Sequence, residues 1–380
     1  MSGIGHEEAS MPARVFRLAR TRLIVPLLAV LTAFVAGAVI VVLSGESVAD
    51  TLTAYRTLFV GSVGSVKAIS ETLTAATPLV FSGLSVAFAF RAGLFNIGGE
   101  GQILAGGMSA VLVGFSLSGL PAALHLPLAV TAGVAGGAVW GSIPGYLKAR
   151  TGAHEVIVTI MLNFIALRLV DFLLKTDLFQ REGRDDPISK SIQGTAKLPR
   201  FLSSWDPSMR VHLGVFVAVA AVVLVAWLLF RTTVGFEIRA FGSNPAAARY
   251  AGMSPLKSYV LVMSVSGGLA GLAGANQVLG VLDRASPGFS AGLGFDGIAV
   301  ALLGRSNPWG VAASALLFGA LRAGGQQMQA RAGVSIDLIA VIQACVIILI
   351  AAPALVSSIY RLRQRRGESD TGTEATRETT

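Results

Sequence analysis

Apolar stretches of about 18 residues or more recur along this 380-residue chain, each long enough to cross a hydrocarbon layer roughly 30 Å thick as a helix. Only 13% of the residues are charged and 53% are hydrophobic. A soluble domain carries roughly 25% charged residues. Backbone N–H and C=O groups in lipid must be paired within the protein, and continuous apolar runs of this length do that as helices. The expected fold is therefore an all-α polytopic membrane protein. Spans fall near 23–43, 69–90, 97–118, 124–146, 156–174, 211–230, 257–279, 295–303, 310–324 and 336–360, about ten in all. The run 23–43 exceeds a signal-peptide core of about 7–15 residues and reads as a retained span. The segment 295–303 is short enough to be re-entrant, and the mixed segment 45–68 is expected in the outer interface.

The net charge of +9 does not point to nucleic acid, because the cations sit beside apolar ends. Arg14, Arg17, Arg20 and Arg22 precede the first span; Arg361, Arg363, Arg365 and Arg366 follow the last. Positive-inside bias then places both termini in the cytoplasm, with residues 1–22 and 361–380 as tails around a membrane domain at 23–360. An outer loop follows at 175–210 and a cytoplasmic loop at 231–256. Cys345 is the single cysteine and reads as a structural thiol. Gly133 and Gly137, Gly141 and Gly145, and Gly267 and Gly271 are each four apart, the spacing of closely packed helices.

The stretch RAGLFNIGGEGQ, residues 91–102, breaks an otherwise membrane-competent run. Backbone that breaks at membrane depth must be satisfied by protein or by a wet cavity, and an ionisable residue there is a functional candidate. Asn96, Glu100 and Gln102 are the first candidates for the substrate path or its inner gate. A weaker echo, SPGFSAGLGFDGIAVALLGRSNPWG at 286–310, contains Phe295 and Asp296. Two interrupted segments in corresponding halves suggest an internal inverted repeat around a site. Asn163, Asn276 and Gln277 lie on apolar spans and are candidates for hydrogen bonding a polar solute; Gln326 is weaker. Phe295 and Phe95 have the shape to stack on a base or sugar, although membrane phenylalanines mostly pack. Arg168 and Asp171 share a helix face and are expected to pair.

There is no G-x-x-x-x-G-K-[ST] loop, no H-E-x-x-H and no G-x-S-x-G, so no catalytic residue, metal or cofactor is expected. The stretch VGFEIRAFGSNPAAARYAGMS, 234–254, carries clear helix punctuation instead. Asn244 suits the N-cap, Pro245 the first helical position and Gly252 the left-handed stop. The resulting helix, 245–251, is too short to stand alone and needs a surface. Either it packs on its own bundle or it docks into a cytoplasmic partner through Arg249 and Tyr250.

FRAGLFNIGGEGQ, GSNPAAARYAGM and GFDGIAVALLGRSNPWG resemble the signature regions of ATP-binding-cassette importer permeases. The resemblance is to the branched-chain amino acid, ribose and simple-sugar superfamily, in its nucleoside and simple-sugar branch, over about residues 25–360. It implies a permease in a prokaryotic plasma membrane that lacks its own ATPase site and moves a nucleoside or simple sugar by alternating access. It also implies a cytoplasmic ABC ATPase, a second permease, expected to be a paralogue, and an external substrate-binding lipoprotein. The segment from Gly242 to Gly252, with Asn244, Pro245, Arg249 and Tyr250, matches the coupling helix that meets the ATPase. The rival reading is an ion-gradient-driven secondary transporter, which shares broken helices but usually needs more intramembrane carboxylates and gives no reason for an Asn-Pro-capped helix.

Overall fold

Every named element of the computed structural model is helical, which makes the chain an all-α polytopic membrane protein. The structure describes residues 28–43, 45, 47–333, 335 and 337–351; the terminal arginine clusters and the last part of the expected span 336–360 lie outside them. The described residues among 41–340 form one unit, and those among 1–40 and 341–380 form another. Helix α1 is Leu28–Leu43, and α13, Asp337–Ala351, carries Cys345 as a half-buried free thiol.

Within the larger unit the helices are α2 (Val48–Val63), α3 (Val66–Arg91), α4 (Gly99–Ser116), α5 (Ala122–Thr151) and α6 (Glu155–Leu173). Then follow α7 (Gly214–Arg231), α8 (Thr233–Ser243), α9 (Pro245–Tyr250), α10 (Pro255–Asn276), α11 (Leu293–Leu303) and α12 (Pro308–Ala332). Five of the described helices, α3, α5, α6, α7 and α10 with its extension to Leu282, are each long and apolar enough to cross a membrane. Helix α3 is the most enclosed and buries Ser70, Thr72, Thr74, Thr77, Ser82 and Ser85 among apolar neighbours. Segment 48–63 forms α2, which starts on a Ser47 cap and packs one face, Ala54, Leu58 and Gly61, inward, with Gly61 against Gln327 of α12, while Leu52 and Phe59 on its other face are exposed. Helix α12 is longer than the expected 310–324, and α11, at 11 residues or about 16 Å, is too short to cross.

The glycine spacings are helix packing. α5 and α10 run antiparallel with backbones in contact; a Cβ on Gly137 would lie 2.6 Å from Gly271 Cα, and one on Gly141 2.9 Å from Gly267 Cα. Gly274 brings α4 equally close to α10, where a Cβ would meet Gly107 N at 2.7 Å. Arg168 Nη1 does pair with Asp171 Oδ2, at 3.4 Å on the exposed face of α6, where such a pair contributes little.

Residues 174–213 cover one end of the bundle. Ser189 N donates to Ala285 O at 2.9 Å, Leu198 N to Leu279 O at 2.9 Å, and Lys197 Nζ meets Asp283 Oδ2 at 2.6 Å. Just before α7, burial pushes the His212 imidazole down to about 4, and its Nδ1 accepts from Gly214 N at 3.2 Å.

Candidate functional site

The two interrupted segments enter the bundle from opposite ends and meet. From Arg91 the chain turns at 92–98 and α4 runs back toward the 174–213 cover, where Gly114 O accepts from Gln193 N. From that cover, residues 283–292 lead inward and α11 runs to the Arg91 end, where Arg91 Nε donates to Ser306 O at 2.8 Å. The N-termini of α4 and α11 abut; a Cβ on Gly294 would lie 2.5 Å from Glu100 Cα. Close approach of two backbones is the reason these turns are glycine-rich.

Glu100 fastens the junction. Its Oε1 accepts from Ser290 Oγ at 2.5 Å and its Oε2 from Gly294 N at 2.8 Å, so an α4 carboxylate caps the first turn of α11. That satisfies an orphan N–H and sets negative charge at a positive helix end. Asn96 and Gln102 exchange two amide hydrogen bonds, 2.9 and 3.1 Å, and Asn96 also donates to Ser266 Oγ of α10 at 2.7 Å. Asn163 of α6 accepts from Gly101 N at 2.8 Å and donates to Ile97 O at 2.9 Å, closing the backbone of the break. These four side chains are buried, paired to protein groups, and line none of the described cavities.

Their removal has a predictable order of effects. Glu100→Gln keeps the shape and loses the charge-assisted bonds; Glu100→Ala leaves Ser290 and Gly294 N with buried, unmet hydrogen bonds and is expected to cost about 2–3 kcal/mol. Thermal unfolding in detergent should rank wild type, Gln and Ala in descending order. An alanine variant that melts with the wild type would refute the clasp.

Open polar space lies toward the covered end. A cavity of about 220 Å³ is lined by Glu71, Thr74, Arg210, Gln277, Arg322 and Gln326 together with apolar residues, and adjoins one of about 440 Å³ reaching Lys67 and Arg331. Arg210 Nε donates to both oxygens of Glu71 at 2.9 and 3.0 Å. Arg322 of α12 pairs with Asp296 in the first turn of α11 and also reaches Ala291 O at 3.4 Å. Ala291 has φ +48°, a left-handed conformation that costs a non-glycine residue of order 1 kcal/mol and is held here by its surroundings. Of the path candidates, then, Gln277 lines this space, Asp296 pairs with the lining residue Arg322 without lining the space itself, and Phe295 is exposed on the neighbouring α11 face. Asn276 is buried beside His212 and Gly214, with Oδ1 unpartnered among the described residues.

The 231–256 loop contains two helices where one was expected. Thr232 caps α8, which is half amphipathic and buries Ile238 and Phe241. Asn244 Oδ1 then accepts from Ala247 N at 3.0 Å with Pro245 in the first turn, giving α9, and Gly252 follows at φ +84°. Only Ala248 of α9 is buried; Tyr250 is 96% exposed and Arg249 is exposed too. Gly242 lies directly on the start of the break: a Cβ there would sit 2.8 Å from the Ala92 carbonyl carbon.

Glu71, Arg210 and Arg322 escaped the sequence reading. Arg322 carried a usable signal, a cation in an apolar stretch, but a span ending at 324 placed it at a helix end. In α12 it stands about 21 Å along the helix from Pro308. Glu71 and Arg210 are 139 residues apart and carry no joint signal.

The family model described as branched-chain amino acid transport system permease component matches residues 68–351. A guanosine ABC transporter permease, NupP of Bacillus subtilis, is 42% identical over 91% of this chain and 98% of its own length. A nucleoside ABC transporter permease, NupB of Lactococcus lactis, is 37% identical over 88% and 92%. A glucose ABC transporter permease, TsgB13 of Haloferax volcanii, is 36% identical over 90% and 89%. No solved structure matches.

Proposed function

The chain belongs to the branched-chain amino acid transport system permease family, and on that footing we propose that it is the membrane-spanning subunit of an ATP-driven ABC importer. Its cargo is a nucleoside or a related simple sugar, moved inward by alternating access. Kinship with guanosine and nucleoside permeases favours the nucleoside. The chain has no phosphate-binding loop, so a separate cytoplasmic ATPase supplies the energy. A second permease, a paralogue, completes the path, and an external binding lipoprotein delivers the solute. Both termini and the α9 end face the cytoplasm; the Glu71 and Arg210 end faces outward.

The observation that carries the mechanism is the seat of Gly242 on the turn at 91–93. Motion taken up by Arg249 and Tyr250 on α9 reaches Gly242, then the broken segment, then the Glu100 junction and α11. Asp296 and then Arg322, which lines the cavity, continue that line. A contiguous chain of packed and hydrogen-bonded groups is the physical requirement for such coupling. Asn96, Gln102 and Asn163 keep the broken backbone rigid, so displacement is transmitted rather than absorbed. Gln277, Gln326, Arg322 and Thr74 offer donors and acceptors to hydroxyl groups or a base edge. We assign base selection to the binding protein; among the described residues, none lining the two outer cavities is aromatic.

Reconstitution with the ATPase and binding protein tests the reading: ATP-dependent nucleoside uptake is expected, and no uptake of any nucleoside or sugar would sink the substrate assignment. Arg249→Ala with Tyr250→Ala should lower ATPase co-purification at least about tenfold, the loss of a two-residue hot spot. Undiminished co-purification would remove α9 from the coupling role.

A further inference from the structure

A groove of about 930 Å³ runs between α5, α7 and α10, on a face separate from the Glu100 junction and the outer cavities. Its lining includes the small residues Ala138, Ala220 and Gly268 and the larger Leu224, Trp227 and Leu272. Ser264 is its single polar lining residue. Leu224 and Trp227 are exposed, so an apolar channel lies open along the span.

Helical register carries this channel to a basic rim. On α10 the lining positions 264, 265, 268, 269 and 272 continue through Leu261, itself exposed, to Lys257. On α7 the positions 220, 223, 224 and 227 continue to Arg231. Both cations are exposed, and neither enters an ion pair among the described residues. Trp227 stands one turn from Arg231, the order of aromatic and cation found at a headgroup boundary.

We propose that this groove binds an anionic phospholipid, with acyl chain along α7 and α10 and phosphate at Arg231 and Lys257. A basic rim at a membrane surface joined to a dry intramembrane channel matches the two halves of one lipid molecule. A zwitterionic lipid fills the channel equally well but carries a compensating ammonium at the rim. The site does not depend on the cargo or on ATP coupling.

Native mass spectrometry of the full-length chain, titrated in mild detergent with phosphatidylglycerol or phosphatidylcholine, tests the site. Two rim cations should give phosphatidylglycerol about a thirtyfold preference. Arg231→Gln with Lys257→Gln should erase the preference while leaving phosphatidylcholine binding, and Ala220→Phe, which projects into open groove, should weaken both lipids. Equal retention of the two lipids by the wild type, or a preference untouched by the double variant, would overturn the proposal. A photoreactive side chain at position 220 should cross-link to lipid; cross-links to polypeptide alone would make the groove a subunit interface and overturn it as well.

Discussion

Arg322→Met is expected to bring ATP-driven uptake down to background while the chain still inserts. The substitution leaves the Asp296 carboxyl, behind the cavity wall that Arg322 lines, without its cation. Removing one partner of a buried pair costs about 3–5 kcal/mol, and the side chains here are 29% and 26% exposed, so a stability loss of about 2–3 kcal/mol follows after solvent screening. The double change Asp296→Asn with Arg322→Gln separates the two effects. It removes both charges, so most of the stability should return, and uptake should remain low because the cavity has lost the Arg322 guanidinium. If uptake returned with stability, the pair would be structural only. Thermal unfolding and vesicle uptake on the same preparations read both quantities.

The second large effect is expected at the α5 and α10 contact. Gly137→Leu or Gly271→Leu should prevent recovery of a monodisperse folded protein. A Cβ at Gly137 meets Gly271 Cα at 2.6 Å, and backbone cannot move aside as a side-chain tip does. Overpacking typically costs about 1–3 kcal/mol where neighbours relax; here the only relief is separation of the two helices, so the whole interface is at stake. Gly268→Ala is the control, since its Cβ would find Val134 Cγ1 at 3.3 Å, a side chain able to give slightly. Size-exclusion profiles of the variants check this, and a sharp wild-type peak for Gly271→Leu would contradict the packing argument.

Much of this was legible beforehand because it is local. Hydropathy over a run of residues reports solvent, so lipid-compatible helices could be placed. Glycines four apart report one helix face, and that face proved to be the α5 and α10 contact. Asn-Pro followed by three alanines reports a helix start, and Asn244 caps Ala247 as the spacing predicts. Helix α8 carries a local signal as well, Ile238 and Phe241 three apart on one buried face, but at 11 residues it is too short to register as a span. Polar residues in a membrane-depth break suggest a path because a charge there needs a partner, and a linear sequence leaves open whether that partner is solute, water or protein.

For Glu100 the partners are Ser290 and Gly294, 190 and 194 residues away along the chain. By itself, the sequence determined an all-α membrane bundle, its close-packing faces, its two breaks and its short Asn-Pro-capped helix, all of which follow from propensity and periodicity within one segment. Only the tertiary structure decided that the two breaks meet end to end, that Asn96, Glu100, Gln102 and Asn163 fasten them, and that the open polar space lies at Gln277, Arg322 and Gln326. The reason is that a helix face is fixed by the residues it carries, whereas the partner of a buried polar group is fixed by where a distant segment re-enters the bundle.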